Sequence, residues 1–91
     1  MVVYHETASG ALCSELRVVD DLTTCKKAAE ALGYQFKTTE DEADWPEGCY
    51  YANDVYFNEH VSGSANDGAM QICKTTGKRL HSFLTCMRPL P

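Results

Sequence analysis

The residues of this 91-residue chain best able to do chemistry are its five cysteines, Cys13, Cys25, Cys49, Cys73 and Cys86. A thiol serves as nucleophile, metal ligand or half of a bridge, and spacing separates these roles. No two cysteines form C-x-x-C, the close pair on which zinc ribbons and thioredoxin-type centres depend. Intervals of 12, 24, 24 and 13 residues suit bridges between separate elements, with free buried thiols as the alternative. The odd count leaves one over, and Cys86, alone in the tail, is the candidate free or intermolecular thiol. A thiol enzyme also needs a histidine beside its cysteine and a third group to orient it. The only such set close in sequence is Cys49 with His60 and Asn58 or Asp54, and no family signature surrounds it. Ser62 and Ser64 lie in a flexible S-G-S stretch without G-x-S-x-G. The carboxylates Glu40, Asp41, Glu42, Asp44 and Glu47 share one polar loop that lacks the calcium-loop pattern and would not hold two carboxyls at a fixed working distance. No catalytic residue, metal site or cofactor is expected.

Aromatic residues offer a different chemistry. Tyr50, Tyr51 and Tyr56 fall on one short β-rich stretch beside Trp45. Such side chains give flat, rigid contact area with polar tips, as favoured at protein and sugar contacts. Three tyrosines and a phenylalanine exceed what a core of this size takes in, so at least one face should present tyrosines outward, the alternative being ordinary sheet packing. Asn58, directly after V-Y-F, either caps a turn or joins that surface. The candidate ligand-binding set is Trp45, Tyr50, Tyr51, Tyr56 and Asn58.

These residues need a scaffold to position them. Over Asp20–Gly33, residues Leu22, Cys25, Ala28, Ala29 and Leu32 fall on one stripe of a 3.6-residue helix. Asp20 or Asp21 is placed to cap its start and Gly33 its end. The two alanines allow close approach to a sheet, with Cys25 at the same depth. Val2–Glu6 reads as a first strand, and Leu12–Val19 as a strand or an extended approach to the helix. Lys37–Gly48 reads as a polar connection closed by the turn residues Pro46 and Gly48, with Trp45 capping the core. Cys49–Asn58 reads as a hairpin turning at Ala52–Asp54. Residues 59–68 read as a loop, and 69–74 as a further strand with Ile72 and Cys73 on opposite faces. The expected fold is α+β: one helix packed on an antiparallel sheet of three to five strands, a single domain over residues 1–74. Residues 75–91 are expected to form a basic C-terminal extension, where Leu80, Phe83, Leu84 and Met87 recur at helical spacing.

Charge is divided along the chain. Residues 1–67 hold all thirteen acidic groups and four basic ones, whereas residues 68–91 hold four basic groups and no acidic one. An acidic body argues against nucleic acid as the main ligand. No apolar run approaches the length of a membrane span, and the first twelve residues lack the pattern of a secretion signal. The chain is therefore expected either to act outside the cell as a mature or excised domain, or to remain in the cytoplasm.

Placement of the cysteines on these elements favours two bridges. Cys25 faces the sheet from the helix and Cys49 opens the hairpin, so Cys25–Cys49 is the preferred pair. Cys13 and Cys73 lie on extended segments and make the second. Four cysteines pair in three ways and Cys86 enlarges the set, so spacing leaves the map open.

The run C-x-x-A-A-x-x-L-G (Cys25, Ala28, Ala29, Leu32, Gly33), then P-x-G-C-Y (Pro46, Gly48, Cys49, Tyr50), V-Y-F-N (Val55–Asn58) and I-C-K (Ile72–Lys74) resembles the small disulfide-linked helix-on-sheet modules of the PAN/apple type. It is similar, too, to cysteine-containing modules in proteins of marine microbial eukaryotes. It departs from the apple pattern in lacking a further cysteine on the helix. The resemblance implies an extracellular recognition or adhesion unit. The expected function is a non-enzymatic extracellular or surface module binding protein or carbohydrate. The alternative is a small intracellular structural protein that forms a homodimer through its sheet edge or tail.

Overall fold

The computed structural model describes residues 2–76. The Cys86 thiol, the Leu80–Met87 pattern and most of the basic extension lie outside the described residues. The elements run β1 (Val2–Glu6), a 3₁₀ turn (Glu15–Arg17), α1 (Leu22–Leu32), β2 (Phe36–Glu40), β3 (Gly48–Ala52), β4 (Asp54–Asn58) and β5 (Met70–Thr76). One helix packs on a five-stranded sheet ordered β1-β5-β3-β4-β2.

α1 starts and stops where its sequence dictates. The Asp21 side chain accepts a hydrogen bond from the Thr24 backbone N–H at 2.9 Å, which satisfies one of the free donors of the first turn. Gly33 ends the helix in the left-handed region at φ 80°, where a Cβ would be penalised. The stripe between them buries Cys25, Ala28 and Ala29 against Cys49, Val55, Phe57 and Ile72 of the sheet. Leu22 and Leu32 pack at its margins.

β3 and β4 form the expected hairpin, with Asn53 at its tip in the left-handed region at φ 70°, a conformation that asparagine tolerates better than most residues. Gly48 opens β3 at φ 75°, and a Cβ there would stand 2.4 Å from the Val19 carbonyl oxygen. The segment before the helix thus lies directly against the start of the hairpin.

Four corrections to the sequence reading follow from pairing. The sheet is mixed rather than wholly antiparallel, because β2 runs parallel to β4. The polar connection accordingly begins later than expected: Lys37–Glu40 belongs to β2, with a register shift between Phe36 and Thr38. Leu12–Val19 is not a strand but an irregular approach to the helix that contains the 3₁₀ turn and makes one isolated backbone β-bridge, between Val18 and Cys73. β5 continues past Lys74 to Thr76, which pairs with Val2. The ladder, not the change in composition, sets the end of that strand.

Both expected bridges are present, Cys25–Cys49 and Cys13–Cys73. Residues alternate faces along a strand, so the two bonds staple opposite sides of the sheet. Cys25–Cys49 joins it to α1, and Cys13–Cys73 joins the far face to the segment before the helix. Gln71, on the same face as Cys73, fixes that segment further. Its Oε1 accepts from the Cys13 N–H at 2.6 Å, and its Nε2 donates to the Glu47 carbonyl at 2.7 Å. No described helix is long and apolar enough to cross a membrane.

Candidate binding face

The bond from Cys49 to the helix fixes the parity of β3. Cys49 and Tyr51 face α1, whereas Tyr50 faces away. Across the hairpin, Tyr50 pairs with Tyr56, and Tyr51 with Val55. Of the candidate set, Trp45, Tyr50 and Tyr56 therefore come together on the sheet face opposite the helix, and Tyr51 does not join them.

The three rings form a row. Trp45 and Tyr50 stack with centroids 5.4 Å apart and planes at 10°, and Tyr50 and Tyr56 with centroids 5.4 Å apart and planes at 18°. Offset stacking of this kind is favourable beyond the area it buries. The central ring is enclosed, with Tyr50 2 % exposed, while Trp45 and Tyr56 at the ends are half-buried. The Tyr50 hydroxyl donates to Glu40 of β2. Burial first, and then this bond to a carboxylate, push the Tyr50 phenol well above its ordinary pKa, since both penalise the phenolate. Trp45 does not cap the helix-side core; it lies on the far face, its ring edge 3.8 Å from where a Cβ on Gly68 would stand.

Asn58 is buried, 2 % exposed, and acts as the clamp beneath this row. Its Nδ2 donates to the carbonyls of Glu42 (2.7 Å), Trp45 (3.1 Å) and Pro46 (3.0 Å). Its Oδ1 accepts from the backbone N–H of Glu42 (2.9 Å) and His60 (3.2 Å). The side chain has no capacity left for a ligand. Its role is to hold the loop that presents Trp45, which is the turn-capping alternative read from the sequence.

Tyr51 stacks on Tyr34 with centroids 4.0 Å apart on the helix side. The Tyr34 hydroxyl donates to Glu6 of β1, and this bond, followed by burial, raises the Tyr34 pKa. Glu40 and Gln71 were not among the sequence candidates. A partial signal existed for Gln71, a polar residue on the same β5 face as Cys73; Glu40 had none, being one acid among several in an apparent loop.

The cysteine of the Cys49–His60 set is not a free thiol. The Cys49 sulfur is bonded to Cys25 and fully buried, so the pairing with His60 has no thiol. The His60 ring Nδ1 accepts from the Ser62 backbone N–H at 3.1 Å. Among the described residues no group of three or more metal-ligating side chains converges, and every buried side-chain nitrogen or oxygen has a hydrogen-bond partner.

No family model, curated protein or solved structure matches the chain. What its residues do must therefore be argued from their own arrangement.

Proposed function

We propose that the protein is a non-enzymatic recognition module of an extracellular or cell-surface setting, which binds a protein or carbohydrate ligand across the Trp45–Tyr50–Tyr56 face. The observation that carries this reading is the row itself. Two half-buried aromatic ends flank an enclosed tyrosine, on the sheet face that α1 leaves free. Rings held by stacking and a clamped loop lose little entropy on binding, which is the advantage of pre-organised aromatic contacts. The two disulfides support an oxidising compartment, and the resemblance to PAN/apple-type modules points the same way.

Trp45 is the only tryptophan of the chain, so its fluorescence reports on this face alone. The test is titration of the oxidised protein with a panel of neutral and acidic oligosaccharides and tyrosine- or proline-rich peptides. A saturable change in Trp45 emission that Tyr56→Ala abolishes, with thermal unfolding still cooperative, supports the reading. Ligands found by array screening that bind Tyr56→Ala and Trp45→Phe as well as the parent protein would place recognition elsewhere.

A further inference from the structure

The sheet has two edges, and they are built differently. β2, at one edge, carries Lys37 at its register shift, followed by two threonines and Glu40. A bulge and an edge lysine are the usual devices against strand addition. β1, at the other edge, has none of them. Its pairing to β5 is continuous from Val2–Thr76 to Glu6–Ile72. It contains no proline, and no lysine or arginine. Val2 and Val3 are 45 % and 41 % exposed.

The hydrogen-bond phase of β1 can be read from its end. The Thr7 N–H donates to the Gln71 carbonyl at 2.9 Å, so Thr7 points its backbone at β5. In an antiparallel ladder this alternates, and Val3 and His5 therefore also point inward. Val2, Tyr4 and Glu6 direct their N–H and C=O groups outward, where no other described strand lies. Leu16, which shares a groove with Val2, is 91 % exposed, and Leu12 is 49 % exposed. Four of the five large exposed apolar side chains of the described residues thus come from residues 2–16. A groove of about 610 Å³ that includes Val2, Leu16, Arg17 and Lys74 in its wall continues the patch.

We infer that the outer edge of β1 docks β1 of a second copy of this chain, antiparallel and centred on Tyr4. The strand is self-complementary in this register. Tyr4 meets Tyr4 of the second copy, and each Val2 meets Glu6 of the other, so all three outward-facing residues find backbone partners. The one acidic group of the strand, Glu6, falls at opposite ends of the pair, which separates the two carboxylates. On the face away from α1, Val3 comes opposite His5 of the second copy, with Leu16 alongside. The two acidic bodies repel, so added salt strengthens the pair by screening. This inference is independent of the aromatic face, which lies on β3, β4 and the loop before β3.

The experiment uses the full oxidised chain carrying Cys86→Ser, which excludes a covalent dimer through that thiol. Sedimentation velocity is run from roughly 10 µM to 1 mM, with a Kd on the order of 100 µM expected for an interface below standard size. Val3→Lys, and separately Val2→Pro, which removes an outward N–H that no other described strand uses, each weaken association at least about tenfold, equivalent to about 1.4 kcal/mol. Thr38→Lys on β2 leaves it within about twofold. Amide exchange gives a second readout: Tyr4 and Glu6 slow with rising concentration, while Val3 and His5 are protected throughout. A monomer at the highest concentration overturns the inference. So does a dimer indifferent to both β1 variants or lost in Thr38→Lys. Tyr4 and Glu6 amides already protected at the lowest concentration would overturn it as well, because another part of the chain would then cover the edge.

Discussion

The side-chain amide of Asn58 forms a closed two-way hydrogen-bonded pair with the backbone of Glu42, donating to its carbonyl at 2.7 Å and accepting from its N–H at 2.9 Å. Sixteen residues apart in sequence, these groups join the end of β4 to the acidic loop. Asn58→Ala leaves the part-buried backbone groups of Glu42 and Trp45 and the buried carbonyl of Pro46 without this partner. It should cost about 3 kcal/mol, since each unsatisfied buried group costs about 1–3 kcal/mol and some will recruit water. Urea unfolding gives the value, and Trp45 emission should shift before global unfolding as the loop detaches.

Alkaline titration should reveal the raised pKa values of two tyrosines. The raised pKa values of Tyr50 and Tyr34 mean that the folded state holds its protons more tightly than the unfolded state does. Their contribution to stability is fully present below the unfolded value near 10 and is lost as pH rises through the higher folded values. Absorbance at the tyrosinate band should show Tyr34 and Tyr50 ionising above the ordinary value near 10. Tyr50 should ionise last, together with loss of the fold, and Tyr50→Phe should delete that final step.

Reduction should be sequential. Cys25 and Cys49 are both 0 % exposed, whereas Cys13 is half-buried and gives a reductant access to its bond with Cys73. Mild phosphine treatment followed by alkylation should therefore label Cys13 and Cys73 before Cys25 and Cys49. Loop entropy assigns about 3.5 kcal/mol to the shorter closed loop and about 4.3 kcal/mol to the longer. Losing both should unfold a domain whose expected stability is about 5–15 kcal/mol. Labelling in the reverse order would contradict the burial argument.

Asp21 supplies an acid-side test. Hydrogen bonds from the Thr24 backbone and side chain hold its carboxyl below the ordinary value of 3.8. Its stabilisation is present above that value and is lost as pH falls through the lower folded pKa. Asp21→Ala should lower the melting temperature by a few degrees at neutral pH. Asp21→Asn should keep most of the cap while flattening the acid limb of the stability curve. Thermal melts from neutral pH down to acid follow both effects.

The helix was legible because its information is local: a capping aspartate, a stripe at helical spacing and a terminal glycine all lie within Asp21–Gly33. The hairpin was legible in its own aromatic and β-branched residues, Cys25–Cys49 followed from a helix cysteine that faces a sheet, and Cys13–Cys73 from the two extended segments that carry them. β2 was hidden for two reasons. Lys37–Glu40 is polar because it forms an edge with one side in water, and its parallel partner β4 is specified by contacts eighteen or nineteen residues away rather than by any turn. The aromatic face was legible in composition and not in parity. Once Cys49 is bonded to α1, strand alternation alone sends Tyr51 to the helix side and Tyr50 to the other. The sequence reading held both facts without joining them. Asn58 was legible as a turn cap or a surface group, but its five partners are backbone groups, which leave no mark in the sequence.

The two disulfides are nested, the Cys25–Cys49 ring lying wholly inside the ring closed by Cys13–Cys73. A single peptide-bond cleavage anywhere between Cys13 and Cys73, including the loop at 59–68 that carries the exposed Val61, therefore opens a ring without releasing a fragment. A protease that nicks this molecule once leaves its mass changed only by the water of hydrolysis, with every strand of the sheet still covalently attached.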